Sequence, residues 1–213
     1  MSNFEIVEKI YKKREEIIDN IDQESVDVYL WIKNEYEKNG DNIRGNKVFQ
    51  FVFRSYYRLD NAGLSNEQKE CFFKLLAQKE SRLNIILEEL HKLPTLRKKN
   101  GKPVHTVQFS FATKLLHTLD DTNPIFDSEI ARVIRKSFLG KDKKERMESW
   151  EEIYSYLKEL ETQLISDSKI QQVIKEFRLK FESTLRENQM TNEKVLDFLL
   201  WSLGKLIKNE AKK

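Results

Sequence analysis

The chain has 213 residues, of which 39% are apolar and 11% aromatic, with 13 Phe, so it holds enough bulk to build an interior and is excluded from the disordered class. Its single cysteine, Cys71, excludes an intramolecular disulfide and a cysteine-built zinc site, and 6 Gly with 3 Pro leave few breakers for short strands. Net charge is only +3, yet residues 91–146 hold 13 Lys/Arg against 6 Asp/Glu, a local +7 that points to a polyanionic partner or to a basic solvated surface.

Helical periodicity dominates from the start. Residues 3–21 place Phe4, Val7, Ile10, Tyr11, Ile17, Ile18 and Ile21 on one face, predicting a single helix. The N-terminus, MSNFEIVEKIYKKREE, carries charges where a signal peptide needs an apolar run. No stretch approaches the roughly 18 apolar residues of a membrane span. A cytoplasmic protein is expected.

A second helix is predicted over 25–38, closed by Asn39-Gly40-Asp41. The third, about 46–59, is aromatic-rich, and its Phe49–Tyr57 block, with Arg54 and Arg58, suits either a core or a base-stacking surface. Ser65 reads as an N-cap with Gln68 at the capping-box position. The helix behind it carries Cys71 beside Phe72 and Phe73, so the thiol is expected to be buried. A helix over 81–93 stops at Pro94. Residues 94–103 (PTLRKKNGKP) read as a loop, followed by a helix from Val104 to Leu119, a turn at 120–124, and a helix led by Asp127-Ser128 that is predicted to run through Leu139. Long helices are predicted over 144–165 and 168–187, and a last one from Thr191, in which Lys194 stands where a capping box needs Glu or Gln. That last segment, NEKVLDFLLWSLGKLI, is apolar on most sides and is expected deep in a core or at an interface, with Trp201 as a core residue. Trp31 and Trp150 are read as packing residues. The fold class is therefore all-α: one helical domain over 1–213, or two lobes formed by 1–93 plus the C-terminal helices and by 94–140.

The three histidines, His91, His105 and His117, are dispersed, and no metal site and no cofactor is expected. Gly-rich phosphate loops, His-Glu-x-x-His and Gly-x-Ser-x-Gly are absent from the sequence. The stretch HTVQFSFATKLLHTLDDTNPIFDSEIARVIRKSF is the informative one. It reads as helix, turn, then Pro124-Ile125-Phe126-Asp127 entering the next helix. Ala112, Leu115, Leu116 and Leu119 would pack the first helix, and Ile130, Val133 and Ile134 the second.

Over residues 105–139 this pattern resembles the core of the helix-hairpin-helix DNA glycosylase superfamily. The resemblance implies a glycosylase-like core with flanking N- and C-terminal helices, and a DNA partner. It makes Asp127 the catalytic carboxylate of a monofunctional DNA N-glycosylase, stabilising positive charge on the sugar of a flipped nucleotide. Arg97, Lys98, Lys99, Lys102 and His105 would contact DNA, the basic run holding the flanking phosphates. The sequence departs from the family's pattern. The hairpin has one glycine, Gly101, where the family has two. The lysine of the bifunctional members would fall near Gln108 to Ser110, where there is none. Lys114 is either a displaced nucleophile or a surface lysine. Asp127 is also explained as a plain N-cap. The alternative function is a noncatalytic helical protein–protein interaction module, with the last helix pairing with a partner or with a second copy.

Overall fold

The computed structural model describes residues 1–135, 143–185 and 190–212, with the side chains of 61, 62, 143 and 144 left aside. Among these residues the chain is almost wholly helical, with one two-stranded hairpin, so the all-α class holds. It divides into two compact units: one of 1–27, 121–139 and 152–213, the other of 28–120 and 140–151.

The first unit contains α1 (Asn3–Lys12), α2 (Arg14–Asp19), the start of α3 (Gln23–Asn39), α8 (Ser128–Ile134), most of α9 (Lys143–Ser166), α10 (Ser168–Lys180), α11 (Glu182–Leu185) and α12 (Asn192–Glu210). The single helix expected over 3–21 is broken at Lys13, which leaves helical geometry at φ −108°. Phe4 is not on the packed face but 74% exposed, and Ile6 takes its place. Ser2 and Glu5 close a capping box that starts α1. The helix expected over 168–187 likewise breaks, at Phe181. Residues 186–189 and 136–142 lie outside the described residues, including the expected stretch of α8 beyond Arg135. What is described of α8 ends at Ile134, where Arg135 adopts the left-handed conformation of a helix stop.

α12 is the hub of this unit and packs against α8, α2, α10 and α1. Val195, Leu196, Leu199, Leu200 and Leu203 are all buried, so its apolar surface is taken up inside the unit. Trp201 is only half-buried rather than in the core, and Lys205, one turn on, lies over its ring at 3.7 Å. The closest backbone approach is at Gly204. A Cβ there would lie within 2.8 Å of the Glu129 carbonyl carbon and Cβ, and closer still to the carbonyl oxygen. Ser202 Oγ donates to Ile17 O at 2.8 Å and fixes α2 on the same helix.

The second unit contains the rest of α3, α4 (Lys47–Tyr56), α5 (Asn66–Ala77), α6 (Leu83–His91), the hairpin of β1 (Lys98–Lys99) and β2 (Lys102–Pro103), α7 (Phe109–Leu119) and the first residues of α9. Phe49 and Phe53 from α4 meet Phe72 and Phe73 from α5 at ring separations of 5.4–6.4 Å, forming an aromatic centre. Trp31 covers one side by stacking on Phe49, and Trp150 stacks on Phe109 at 4.2 Å. Cys71 is half-buried, with burial pushing its thiol pKa up. The Ser65–Gln68 capping box is present, and Gln68 goes further: its buried amide donates to Leu90 O and Leu93 O at 3.1 and 3.2 Å, tying the end of α6 to the start of α5. α7 begins at Phe109 rather than Val104. No described helix is long and apolar enough to cross a membrane.

Gly204→Ala is expected to destabilise the protein by about 1–3 kcal/mol through overpacking against backbone that cannot retreat, lowering Tm by several degrees. Thermal melts followed by circular dichroism check this. A variant that melts with the wild type would contradict the close approach of α8 and α12.

Candidate functional site

The turn that delivers Asp127 is held at both ends within the first unit. Thr191 Oγ1 donates to Asp121 O at 3.2 Å, and Tyr154 Oη to Asn123 Oδ1 at 3.0 Å. Pro124, Ile125 and Phe126 are buried and anchor the approach. Asp127 then sits in extended backbone, φ −146°, as the N-cap of α8. The amides of Glu129 and Ile130 donate to its Oδ1 at 2.8 and 3.0 Å. The capping role is therefore real. The residue is half-buried, and no described residue hydrogen-bonds to Oδ2. Chemically, one oxygen is fixed by the helix and the second is available to a ligand. Arg132 bridges to Glu129, and Lys208 approaches Glu129 at 3.8 Å.

The remaining predicted site residues fall in the second unit. The segment 94–103 is not a plain loop. Asn100 and Gly101 both have positive φ, 53° and 75°, and close a tight turn between β1 and β2, with Lys99 paired to Lys102 and Lys98 to Pro103. Both central residues of this turn class require the left-handed region, which Asn-Gly supplies. The hairpin is rooted rather than loose. Thr95 N and Oγ1 donate to Val104 O at 2.9 and 2.8 Å, Val104 N donates to Arg97 O at 3.0 Å, and Leu96 N donates to Gly63 O at 2.9 Å. Arg97, Lys98, Lys99 and Lys102 are exposed, and none is ion-paired among the described residues. His105 is also exposed. Its Nδ1 lies 2.9 Å from His91 O, and its ring lies edge-on to that of His91 at 6.0 Å. Five of the predicted DNA contacts thus share one unit, while Asp127 belongs to the other.

Lys114 is not a surface lysine. It is 8% exposed, with Nζ donating to Tyr57 O at 3.4 Å and Ser110 Oγ at 3.3 Å, and lying near the Phe111 ring at 5.1 Å. α7 is buried around most of its girth, so its polar residues go inside with it. His117 is buried too, its ring 5.9 Å from that of Tyr29. Among the described residues no three His, Cys, Asp or Glu side chains gather closely enough to hold a metal ion.

Two features escaped the sequence. The first is how charge divides: the second unit holds 20 Lys/Arg against 14 Asp/Glu, a net +6, which leaves the first at −3. The second is a buried ionisable cluster in the first unit. Lys194 Nζ donates to Asp197 Oδ2 at 2.6 Å across one helical turn and sits 4.5 Å from the Phe198 ring centre. Glu161 joins them, 4% exposed. Burial above all, then the negative charge of Asp197 and Glu193, pushes its pKa well above the usual carboxylate range, while Lys194 partly offsets this. No family model, no curated protein and no solved structure matches the chain.

A raised carboxyl pKa means the folded state keeps this proton after the unfolded state has lost it. The stabilisation is complete below the ordinary carboxyl range and is lost as pH rises from there through the folded pKa. Wild-type Tm is therefore expected to fall as pH rises above the ordinary carboxyl range. Glu161→Gln should be the more stable form at the upper end of that rise and lose that advantage at the lower. Parallel pH profiles for the two proteins would sink this assignment.

Proposed function

We propose that this chain is a DNA-binding protein that holds the phosphate backbone through its basic hairpin, Arg97 to Lys102. The observation that carries the reading is the state of those cations. Four positive side chains stand exposed on a rooted turn, without ion-pair partners among the described residues, in a stretch lacking any acid between Glu89 and Asp120. Such side chains contribute little to folding, and like charges in sequence repel. Phosphates spaced along a strand satisfy them and release counterions. His105, at the base of the hairpin, adds an exposed imidazole ring.

Base excision is the second reading, and the Asp127 geometry favours it. A glycosylase of the helix-hairpin-helix type needs a carboxylate held at a helix start with one oxygen left for the sugar. Helix α7, the buried Pro-Ile-Phe approach and the capping aspartate follow in the order that the resemblance requires. Lys114, held by Tyr57 and Ser110, supports a monofunctional rather than a lysine-based mechanism.

The binding test uses a labelled duplex and fluorescence anisotropy from about 50 to about 200 mM salt. Wild type should bind at low salt, with log K falling linearly against log salt. Changing Lys98, Lys99 and Lys102 together to Gln should flatten that slope by about 2–3. An unchanged slope, or no binding in the lowest salt, ends the proposal.

For excision, Asp127→Asn keeps an equally good cap while removing the charge. The variant should fold like wild type but release no base from oligonucleotides carrying uracil, 8-oxoguanine or an alkylated purine. If wild type and variant behave alike on every lesion, Asp127 is a cap and nothing more.

A further inference from the structure

The segment from Arg44 to Arg58, centred on helix α4, carries a second group of cations in a setting of different chemistry. Between Asp41 and Asp60 the chain has no acid, but it has Arg44, Lys47, Arg54 and Arg58. The inner side of α4 is the aromatic centre formed by Phe49 and Phe53. The outer side presents Lys47, Val48, Phe51 and Ser55, which helical geometry places on one face. Phe51 is 61% exposed and Val48 64% exposed, so a large apolar ring stands in water on a cationic helix. Trp31, itself 38% exposed, stacks on Phe49 with rings 6.4 Å apart and extends exposed aromatic surface onto α3. Arg44, Lys47 and Arg58 are exposed and not ion-paired among the described residues, whereas Arg54 pairs with Asp60 at 3.6 Å. Shortly beyond α4, Gly63 O receives the Leu96 amide at the root of the basic hairpin.

Charge and shape select among occupants of this face. A second copy of the chain in a two-fold contact would bring cations against cations. A membrane surface needs a longer apolar stripe than Val48 and Phe51 provide on a helix of 10 residues. Duplex DNA keeps its base faces stacked and offers an exposed ring nothing to cover it. An unpaired strand offers both parts at once: a base plane for Phe51 and phosphates for Lys47, Arg44 and Arg58.

We propose that the outer face of α4 binds single-stranded DNA by stacking a base on Phe51, so that the protein prefers unpaired strands or locally opened duplex. This rests on the DNA-binding reading above and adds a preference that the hairpin, a set of point charges, does not supply.

Anisotropy of the full chain with a labelled oligothymidine of about 20 nucleotides, beside a duplex of the same length, tests it. Phe51→Ala should weaken single-strand binding about 5- to 100-fold, leave duplex binding unchanged, and leave the thermal melt unchanged because the ring is exposed. Phe51→Trp should restore the single-strand affinity. If Phe51→Ala binds the single strand like wild type while the duplex still binds, the stacking surface is refuted and the hairpin reading stands. If neither oligonucleotide binds wild type at low salt, both fall. Loss in Phe51→Ala of sedimentation with anionic vesicles, or of a concentration-dependent dimer, with single-strand affinity intact, would assign the face to a membrane or to a second copy and overturn the proposal.

Discussion

The first unit depends on a glycine that lets two helices touch backbone to backbone. Gly204 stands midway along α12 among Leu203, Lys205 and Leu206, and its missing side chain is the space in which the Glu129 peptide sits. This contact is made one residue into α8, so it fixes the beginning of that helix more tightly than its end. Asp127 is the N-cap at that beginning. The position of Asp127, the carboxylate that the resemblance makes catalytic, is thus set by a residue 77 positions away in the sequence. The same short stretch gathers Arg132, Glu129 and Lys208: Glu129 pairs with Arg132 within α8, and Lys208 of α12 approaches it at 3.8 Å across the two helices.

The second unit solves a different problem, which is to make a small β-element rigid in a helical setting. A two-strand hairpin is at best marginal by itself in water. Here its roots are taken over by neighbouring structure. Gln68 holds the carbonyls at the end of α6, Gly63 receives the Leu96 amide, and Thr95 and Val104 pair below the strands. Gly63 lies at φ 74° with Arg97 packed across it, so the strap needs a residue without a Cβ. The result is a hairpin backbone held in one shape rather than a wandering loop, which would lower the ordering cost of the binding proposed above.

How much of this was legible follows the range of the interactions. The Asp127 cap and the Ser65 box are local, made within three residues, and the sequence states them openly. The break at Lys13 has no Gly or Pro to announce it. Ile6, Ile10, Ile17 and Ile21 keep one buried face across it, so the apolar pattern does not mark it. The burial of Lys114 and His117 was available from the sequence in FSFATKLLHTL, whose apolar residues surround the helix and leave no solvent side for a lysine. The Asn100-Gly101 turn was also available, since that dipeptide is the strongest short hairpin signal, but a run of lysines around it reads as loop. Gly204 carried the hint that a glycine inside an apolar helix has a packing reason. The meeting of Glu161 with Lys194 and Asp197 could not be read at all. Only the pair within α12 has helical spacing, and Glu161 arrives through tertiary packing.

The two units treat their charges in opposite ways, and that contrast bears on function more than net charge does. In the first, Lys13 meets Glu210, Lys169 meets Glu8, Arg14 meets Glu176, and Lys180 meets Asp19, so cations are absorbed into contacts between helices. In the second, pairs form where acids are interspersed, as at Arg82–Glu80 and Lys69–Asp60, while in the two acid-free stretches Arg54 and Lys92 reach the bordering Asp60 and Glu89 and Arg44, Lys47, Arg58, Arg97, Lys98, Lys99 and Lys102 have no ion pair among the described residues. Exposed pairs are worth roughly 0–1 kcal/mol each, so folding gains little from supplying them and loses little where they are missing. Stability therefore does not explain why acids are absent from both the hairpin and α4 while present all around them. The DNA partner proposed above would account for it, because each cation it met would add to affinity through counterion release and any interspersed acid would subtract. On the reading proposed above, the hairpin and α4 would divide the work by chemistry, the first responding only to charge and the second, through Phe51, to whether a base is already stacked.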